Sequence, residues 1–206
     1  MGELDANDVK ILEKKLLYKK FFEVNEYTLR HPVYKGGLTP PFCREVMDRG
    51  HAAGILLYDP DADKLVFVRQ FRIGVYLNGD DPWTIECVAG MIDHENEKAE
   101  DVVVREAWEE AGAVVEDVEE IMYYYPSPGG CTETIRLFCG RTDASKLPQY
   151  AGLESETEDI KVLAVPFDEA VKMMENGKIY NALTLLAVQW MALNRTRLID
   201  KWGKKR

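Results

Sequence analysis

From residue 51 onward the chain alternates short apolar runs with turn-forming clusters. Residues 51–58 and 65–71 are rich in β-branched and aromatic side chains, and Asp59-Pro60-Asp61-Ala62-Asp63 separates them, which predicts a hairpin. The polar loop Asn78-Gly79-Asp80-Asp81-Pro82 leads into a predicted strand over 83–88. A helix is expected over 98–111, closed by Gly112. Strands are expected over 118–125, 132–139 and 160–165, and helices over 167–176 and 181–194. Between the last strands, 143–159 reads as a long acidic loop, a length more common in functional than in purely connecting segments. Ahead of this pattern, residues 1–16 are charged, with Val9, Ile11 and Leu12 as the apolar cluster. Aromatic and β-branched content rises over 18–34, Lys35-Gly36-Gly37 marks a turn, Pro40-Pro41 a break, and 43–47 a short strand. The pattern predicts a β-rich segment over 1–48 and an α/β (α+β) domain over 49–206.

A chain of 206 residues with 46% apolar composition can bury a sizeable core. Its net charge of −10 makes non-specific binding to nucleic acid or to anionic membranes unfavourable. The longest apolar stretch, 182–193, is too short to span a bilayer, and the polar start MGELDAND is unlike a signal peptide, so a cytoplasmic protein is expected. Cys43, Cys87, Cys131 and Cys139 show no CxxC spacing, and His31, His51 and His94 form no HExxH pair, which argues against zinc sites and disulfides. His51 is expected in the core, as are Cys87 and Cys139.

The predicted helix over 98–111 carries the candidate chemistry. At about 100° per residue, Ala99, Val102, Val103 and Ala107 form one apolar stripe. Glu106 and Glu110 fall inside that stripe, Glu109 at its edge, and Trp108 on the far side. A solvated helix would put its acids opposite its valines. Buried carboxylates must be compensated or their pKa rises. Arg105 is one compensating cation, and a hard divalent ion that takes carboxylate oxygens is another.

The spacing Gly90-x6-Glu97-x7-Arg105-Glu106-Ala107-Trp108-Glu109-Glu110-Ala111-Gly112-Ala113 resembles the Nudix box, GX5EX7REUXEEXGU, with one extra residue in the first gap and small residues at both U positions. Further stretches, among them Val68-Arg-Gln-Phe-Arg, Glu86-Cys-Val-Ala-Gly-Met-Ile, Ser127-Pro-Gly-Gly and Glu156-Thr-Glu-Asp-Ile, are similar to the ADP-ribose pyrophosphatase subfamily, and Pro128 lies 15 residues past Ala113. The resemblance runs from about Leu17 to Trp190. It implies a Nudix α/β/α sandwich on a mixed sheet and a homodimer that exchanges its N-terminal segment.

The resemblance also implies a reaction: hydrolysis of ADP-ribose to AMP and ribose 5-phosphate with two or three Mg²⁺ ions, Mn²⁺ being a possible substitute. Metal ligands would be Ala89 through its carbonyl, Glu106, Glu110, Glu158, and Glu109 as ligand or neighbour. The carbonyl reading places Ala89-Gly90 at the end of a strand, opening a tight loop. Glu156 would be the general base, and Arg105 would orient Glu109 or Glu110. Phe21 and Phe22 would stack on adenine, while Arg44, Glu45, Arg49 and Arg72 would hold base and phosphates. Met91 would meet the terminal ribose, and Ser127, Pro128, Gly129 and Glu133 would line the ribose side. Other nucleotide sugars, such as GDP-mannose or UDP-glucose, are the nearest alternative substrates. A module that binds ADP-ribose without cleaving it is a second alternative, whose expected mark would be a broken REUXEEXG core.

Overall fold

The computed structural model describes residues 4–93 and 96–204; His94 and the last two residues of the basic tail lie outside them. The chain divides into two compact units. The first takes Met1–His51 together with Tyr125–Thr134, and the second Ala52–Tyr124 with Ile135–Arg206.

Among the described residues, the first unit holds a three-stranded antiparallel sheet of β1 (Lys10–Lys19), β2 (Glu23–Arg30) and β3 (Phe42–Asp48) in that order. β1 is exposed along its whole length. Segment Tyr125–Thr134 joins this unit through backbone bonds: Met47 N–H donates to the Gly130 carbonyl at 2.9 Å, and Thr132 N–H to the Met47 carbonyl at 3.1 Å. His51, expected in the core, is exposed at the start of its strand. Its Nδ1 lies 2.8 Å from Thr134 Oγ1 and accepts from the Thr134 N–H at 3.3 Å. As the first residue of that strand, it lies ahead of the part both helical layers cover.

The second unit is built on β4 (His51–Asp59), β5 (Lys64–Phe71), β6 (Trp83–Glu86), β7 (Val88–Ile92), β8 (Asp117–Tyr124), β9 (Ile135–Arg141), β10 (Tyr150–Ala151) and β11 (Ile160–Pro166). These strands form one mixed sheet in the order β10-β11-β5-β4-β9-β8, with β6 paired to β5 and β7 to β4. The β4–β9 pair is parallel. Its helices are α1 (Ile73–Asn78), α2 (Ala99–Ala111), α3 (Phe167–Glu175) and α4 (Ala182–Trp202). α4 runs well past the expected end at 194, and Leu198 and Trp202 on its added turns are buried.

Period-two side-chain alternation explains the layering. On β4, Ala53, Ile55 and Leu57 pack with Val102, Val103, Ala107 and Ala111 of α2. Leu56 and Tyr58, the alternate residues, pack with Phe167 and Ala170 of α3 and Leu183, Ala187 and Met191 of α4. β5 divides in the same way, Val66 and Val68 toward α2, Leu65 and Phe67 toward α3 and α4. The result is the expected α/β/α sandwich. Cys87 and Cys139 are buried, as expected, and are free thiols. No helix among the described residues is long and apolar enough to cross a membrane.

Three expectations differ from the structure. The strand predicted over 83–88 is two strands that part at Cys87, because β6 pairs with β5 and β7 with β4. Ala89 and Gly90 lie inside β7 rather than in a loop. The acidic stretch 143–159 is not featureless: it contains two short 3-10 turns, Ala144–Lys146 and Glu154–Glu156, around β10.

Candidate active site

The acids of α2 lie where the apolar stripe placed them. Val102, Val103, Ala107 and Ala111 are fully buried, and Glu110 among them is only 3% exposed. Trp108, on the opposite side, is 63% exposed. Gly112 closes the helix in the left-handed conformation at φ 59°. Its N–H bonds the Trp108 carbonyl at 2.9 Å, and the Ala113 N–H reaches back to the Ala107 carbonyl at 2.9 Å.

β7 presses directly on this face. A Cβ on Gly90 would sit 2.0 Å from Glu106 Oε1, so only glycine permits the carboxylate to lie there. One residue earlier, the Ala89 N–H donates to Glu110 Oε2 at 3.3 Å. Burial pushes the Glu110 carboxyl up to about 8. The Ala89 N–H opposes this, the charges of Glu106 and Glu158 add to it, and Arg72 offsets part. Glu106 is also raised by burial, with Arg105 pulling the other way.

Arg105 brackets the acids. Its Nη1 donates to Glu106 Oε1 at 2.8 Å and to Glu109 Oε2 at 3.0 Å, and its Nε lies 3.5 Å from Glu97 Oε1. Among the described residues it makes no bond to Glu110, which takes the Ala89 amide instead. Glu158 joins the cluster from the acidic loop: its charge acts on Glu106, Glu110 and Arg72, while its Oε2 accepts from the Leu153 N–H at 3.2 Å. The loop is tied to the helix by the Gly152 N–H, which donates to the Glu109 carbonyl at 3.0 Å. Glu156 is exposed on the Glu154–Glu156 turn, with no side-chain hydrogen bond among the described residues.

Arg72 completes this group. Its Nε and Nη2 both donate to Glu86 Oε2, at 3.0 and 2.7 Å. Burial works against its charge, but Glu86, with Glu110 and Glu158 beyond, holds its pKa above the ordinary value. Met91 is half-buried on β7.

The donor set suits a hard divalent cation: carboxylate oxygens, partly buried, with less positive charge around them than negative. The Glu110 carboxyl is raised first by its burial and then by the nearby charges of Glu106 and Glu158. Among the described residues no three such side chains converge at metal-binding distance, and Arg105 spans Glu106 and Glu109.

The remaining candidate residues belong to the first unit. Phe21 and Phe22 lie between β1 and β2 as an edge-to-face pair with centroids 5.1 Å apart, and Phe21 is 75% exposed. The Arg49 guanidinium lies over Phe22 at 5.9 Å and 3.5 Å from Glu133 Oε1. Arg44 and Glu45 are exposed neighbours on β3, with Arg44 over the Phe42 ring at 4.6 Å. Ser127, Pro128 and Gly129 form an exposed turn closed by the Cys131 N–H on the Ser127 carbonyl at 3.0 Å. Pro128 and Gly129 line a cleft of about 370 Å³ with Val46 and Tyr125.

The NUDIX domain family model matches residues 48–186. The chain belongs to the Nudix family. A Nudix relative from Escherichia coli (strain K12), an ADP-ribose pyrophosphatase, is 40% identical over 96% of this chain and 94% of its own length. Another ADP-ribose pyrophosphatase, from Haemophilus influenzae, is 36% identical over 96% of this chain and 92% of its own. A GDP-mannose pyrophosphatase from Pectobacterium atrosepticum is 38% identical over 89% of this chain and 94% of its own. A solved structure described as an ADP compounds hydrolase shares the Nudix fold, with a TM-score of 0.73 over 99% of this chain and 100% of that one at 18% identity. The protein is therefore a Nudix hydrolase, and enzymes of this family generally use divalent metals such as Mg²⁺.

Two residues of this Nudix site escaped the sequence reading. Glu97 stands in the box pattern, but its ion pair with Arg105 is a tertiary contact. Glu86 is a buried acid in a strand. A lone carboxylate within an otherwise apolar run was the available signal.

Proposed function

We propose that this enzyme hydrolyses the pyrophosphate of ADP-ribose to AMP and ribose 5-phosphate in the cytoplasm. The observation that carries the reading is the inward face of α2, where Glu106 lies against Gly90 and Glu110 is buried with its pKa raised. The relatedness to ADP-ribose pyrophosphatases over nearly the whole chain supports the substrate.

Glu106, Glu110 and the Ala89 carbonyl would hold Mg²⁺, with Glu109 and Glu158 beside them; two or three ions fit the number of acids, and Mn²⁺ could replace Mg²⁺. Bound there, Mg²⁺ supplies charge neutralisation for the pyrophosphate and a lower pKa for the attacking water. Arg105 keeps Glu106 and Glu109 in place, as its bonds to both suggest. Glu156, exposed on its loop, takes the proton from water as the new P–O bond forms and the bridging P–O bond breaks. Arg72 meets a phosphate, and Met91 the terminal ribose. Phe21 and Phe22 stack on adenine, with Arg44, Glu45 and Arg49 around it, while Glu133 and the Ser127-Pro128-Gly129 turn contact the ribose side. The enzyme works as a homodimer that exchanges the first unit, consistent with the exposed Ile11, Leu12, Leu16 and Leu17 of β1.

Product analysis on ADP-ribose with and without Mg²⁺ tests this reading. AMP and ribose 5-phosphate in equal amounts, only with the ion, are expected. The similarity to a GDP-mannose pyrophosphatase favours one second reading. Faster turnover of GDP-mannose than of ADP-ribose would replace the substrate while leaving the chemistry in place.

A further inference from the structure

Glu86 is an acid of the second unit that lies outside the α2 cluster. It stands at the end of β6, buried, between the apolar Ile85 and the buried Cys87. Its two oxygens have divided tasks. Oε1 accepts from Thr84 Oγ1 at 2.7 Å and from Asn181 Nδ2 at 3.3 Å. Oε2 accepts only from Arg72, twice. Asn181 is itself fixed, because its Oδ1 caps α4 through the Thr184 N–H at 3.1 Å. The carboxylate is thus clamped by a strand hydroxyl and a helix cap, and it in turn clamps one guanidinium.

An ion pair with one partner buried and the other nearly half exposed adds little net stability, because solvent screens the cation and the buried acid pays for its lost hydration. What it does supply is orientation. With Nε and Nη2 on one oxygen, the guanidinium plane is fixed, and Arg72 Nη1 makes no hydrogen bond among the described residues. Arg72 is also within electrostatic reach of Glu110 and Glu158. A loose guanidinium there would move onto those carboxylates, as Arg105 does on Glu106 and Glu109.

We propose that Glu86 is a positioning residue: it holds Arg72 off the α2 acids so that the free edge of its guanidinium can grip a phosphate of the substrate. This rests on the reading of the site as a nucleotide-sugar pyrophosphatase, in which Arg72 is the phosphate contact and Glu86 never touches substrate.

A double-mutant cycle on the full-length protein tests the proposal. The probe is the methylene-bridged analogue of ADP-ribose, which cannot be hydrolysed, titrated by calorimetry in Mg²⁺. R72A and E86Q are each expected to weaken binding about tenfold, the scale of one charge-assisted contact. The double variant is expected to bind no worse than R72A, because Glu86 acts through Arg72. In turnover of ADP-ribose, E86Q is expected to raise KM about tenfold and move kcat far less, the pattern of a lost binding contact. Losses that multiply in the double variant would show a general packing role and overturn the proposal, as would E86Q binding like the wild type. A wild type that binds the analogue but cleaves no nucleotide sugar would take down the hydrolase reading and leave the cycle to decide on Glu86. A wild type that binds neither the analogue nor GDP-mannose would overturn both.

Discussion

The two compact units solve opposite problems. In the second, one sheet is covered on both faces, and it holds every fully buried large side chain, from Tyr58 and Phe67 to Met191 and Leu198. In the first, β1 leaves Ile11, Leu12, Leu16, Leu17 and Tyr18 exposed, and β2 buries a single residue, Asn25. A rigid two-sided core suits acids that must stay close despite mutual repulsion, because packing fixes α2 against β7. A thin sheet with open aromatics suits contact with a planar ligand or a second chain. The candidate chemistry divides the same way, with carboxylates in the second unit and stacking rings in the first. Substitutions in the two units should therefore act on different kinetic constants.

The largest effect is expected from the second unit. E106Q keeps the shape of the side chain and removes its charge, so turnover of ADP-ribose should fall about 10²–10³-fold, the scale of losing one electrostatic contact to a developing charge. G90A should mimic it, since a Cβ 2.0 Å from Oε1 would displace the same carboxylate. Circular dichroism and melting check that both fold. Wild-type rates in both variants would remove Glu106 from the chemistry.

The matched change in the first unit is F22A. Stacking a base on one aromatic ring is worth about 1–3 kcal/mol, so KM for ADP-ribose should rise about tenfold with kcat nearly unchanged. A fall in kcat with constant KM would mean that the division of labour between the units does not hold.

How much of this could be read from the sequence depended on whether a pattern was local. α2 was readable because its apolar positions and its acids obey one 3.6-residue period, and Glu110 is buried where that period puts it. β4 and β5 were readable because they alternate strongly between apolar runs and a turn rich in aspartate. β1 was not, because its register against β2 shifts between Ile11 and Glu13 and again between Leu16 and Tyr18. Those bulges pair Ile11 with Leu12 and Leu16 with Leu17 in sequence, which erases the period of two. The six-residue α1 lacks a side-chain cap and gave no start signal. In the site, Arg105 was expected to orient Glu109 or Glu110; it bonds Glu109, four residues away, and the adjacent Glu106 instead of Glu110. Of the partners of Glu86 only Thr84 is local; Arg72 and Asn181 lie far along the chain, and no local pattern connects them to it.

A third substitution separates stability from chemistry within the second unit. Gly112 is left-handed, and a Cβ there would meet Pro148 Cδ at 2.7 Å. G112A should cost about 1–2 kcal/mol from the backbone conformation and lower Tm by roughly 2–8 °C. Because Gly112 also ends the helix that carries Glu109 and Glu110, turnover per folded molecule is the discriminating measurement. An unchanged value would show that the C-terminal turn of α2 serves stability alone, and a reduced one that it also sets the acids.

The smallest effect concerns the outer edge of the same unit, where Arg197 and Lys201 of α4 clasp Glu119 of β8. The bond from Arg197 is the main cause, with Lys201 adding, that holds the Glu119 carboxyl down at about 2. Its ordinary value is 4.5, so the pair stabilises the fold above that pH and the contribution fades as pH falls from about 4.5 to about 2. Both cations are about half exposed, so solvent screening limits the effect to about 1 kcal/mol or less. Urea unfolding of E119Q should show a small deficit at pH 7 that closes on acidification, and 1 M salt should shrink the same deficit at neutral pH. A deficit that persisted at pH 2 would mean that Glu119 contributes by packing. In that case the surface of the second unit, like its interior, would hold α4 mainly through contact area.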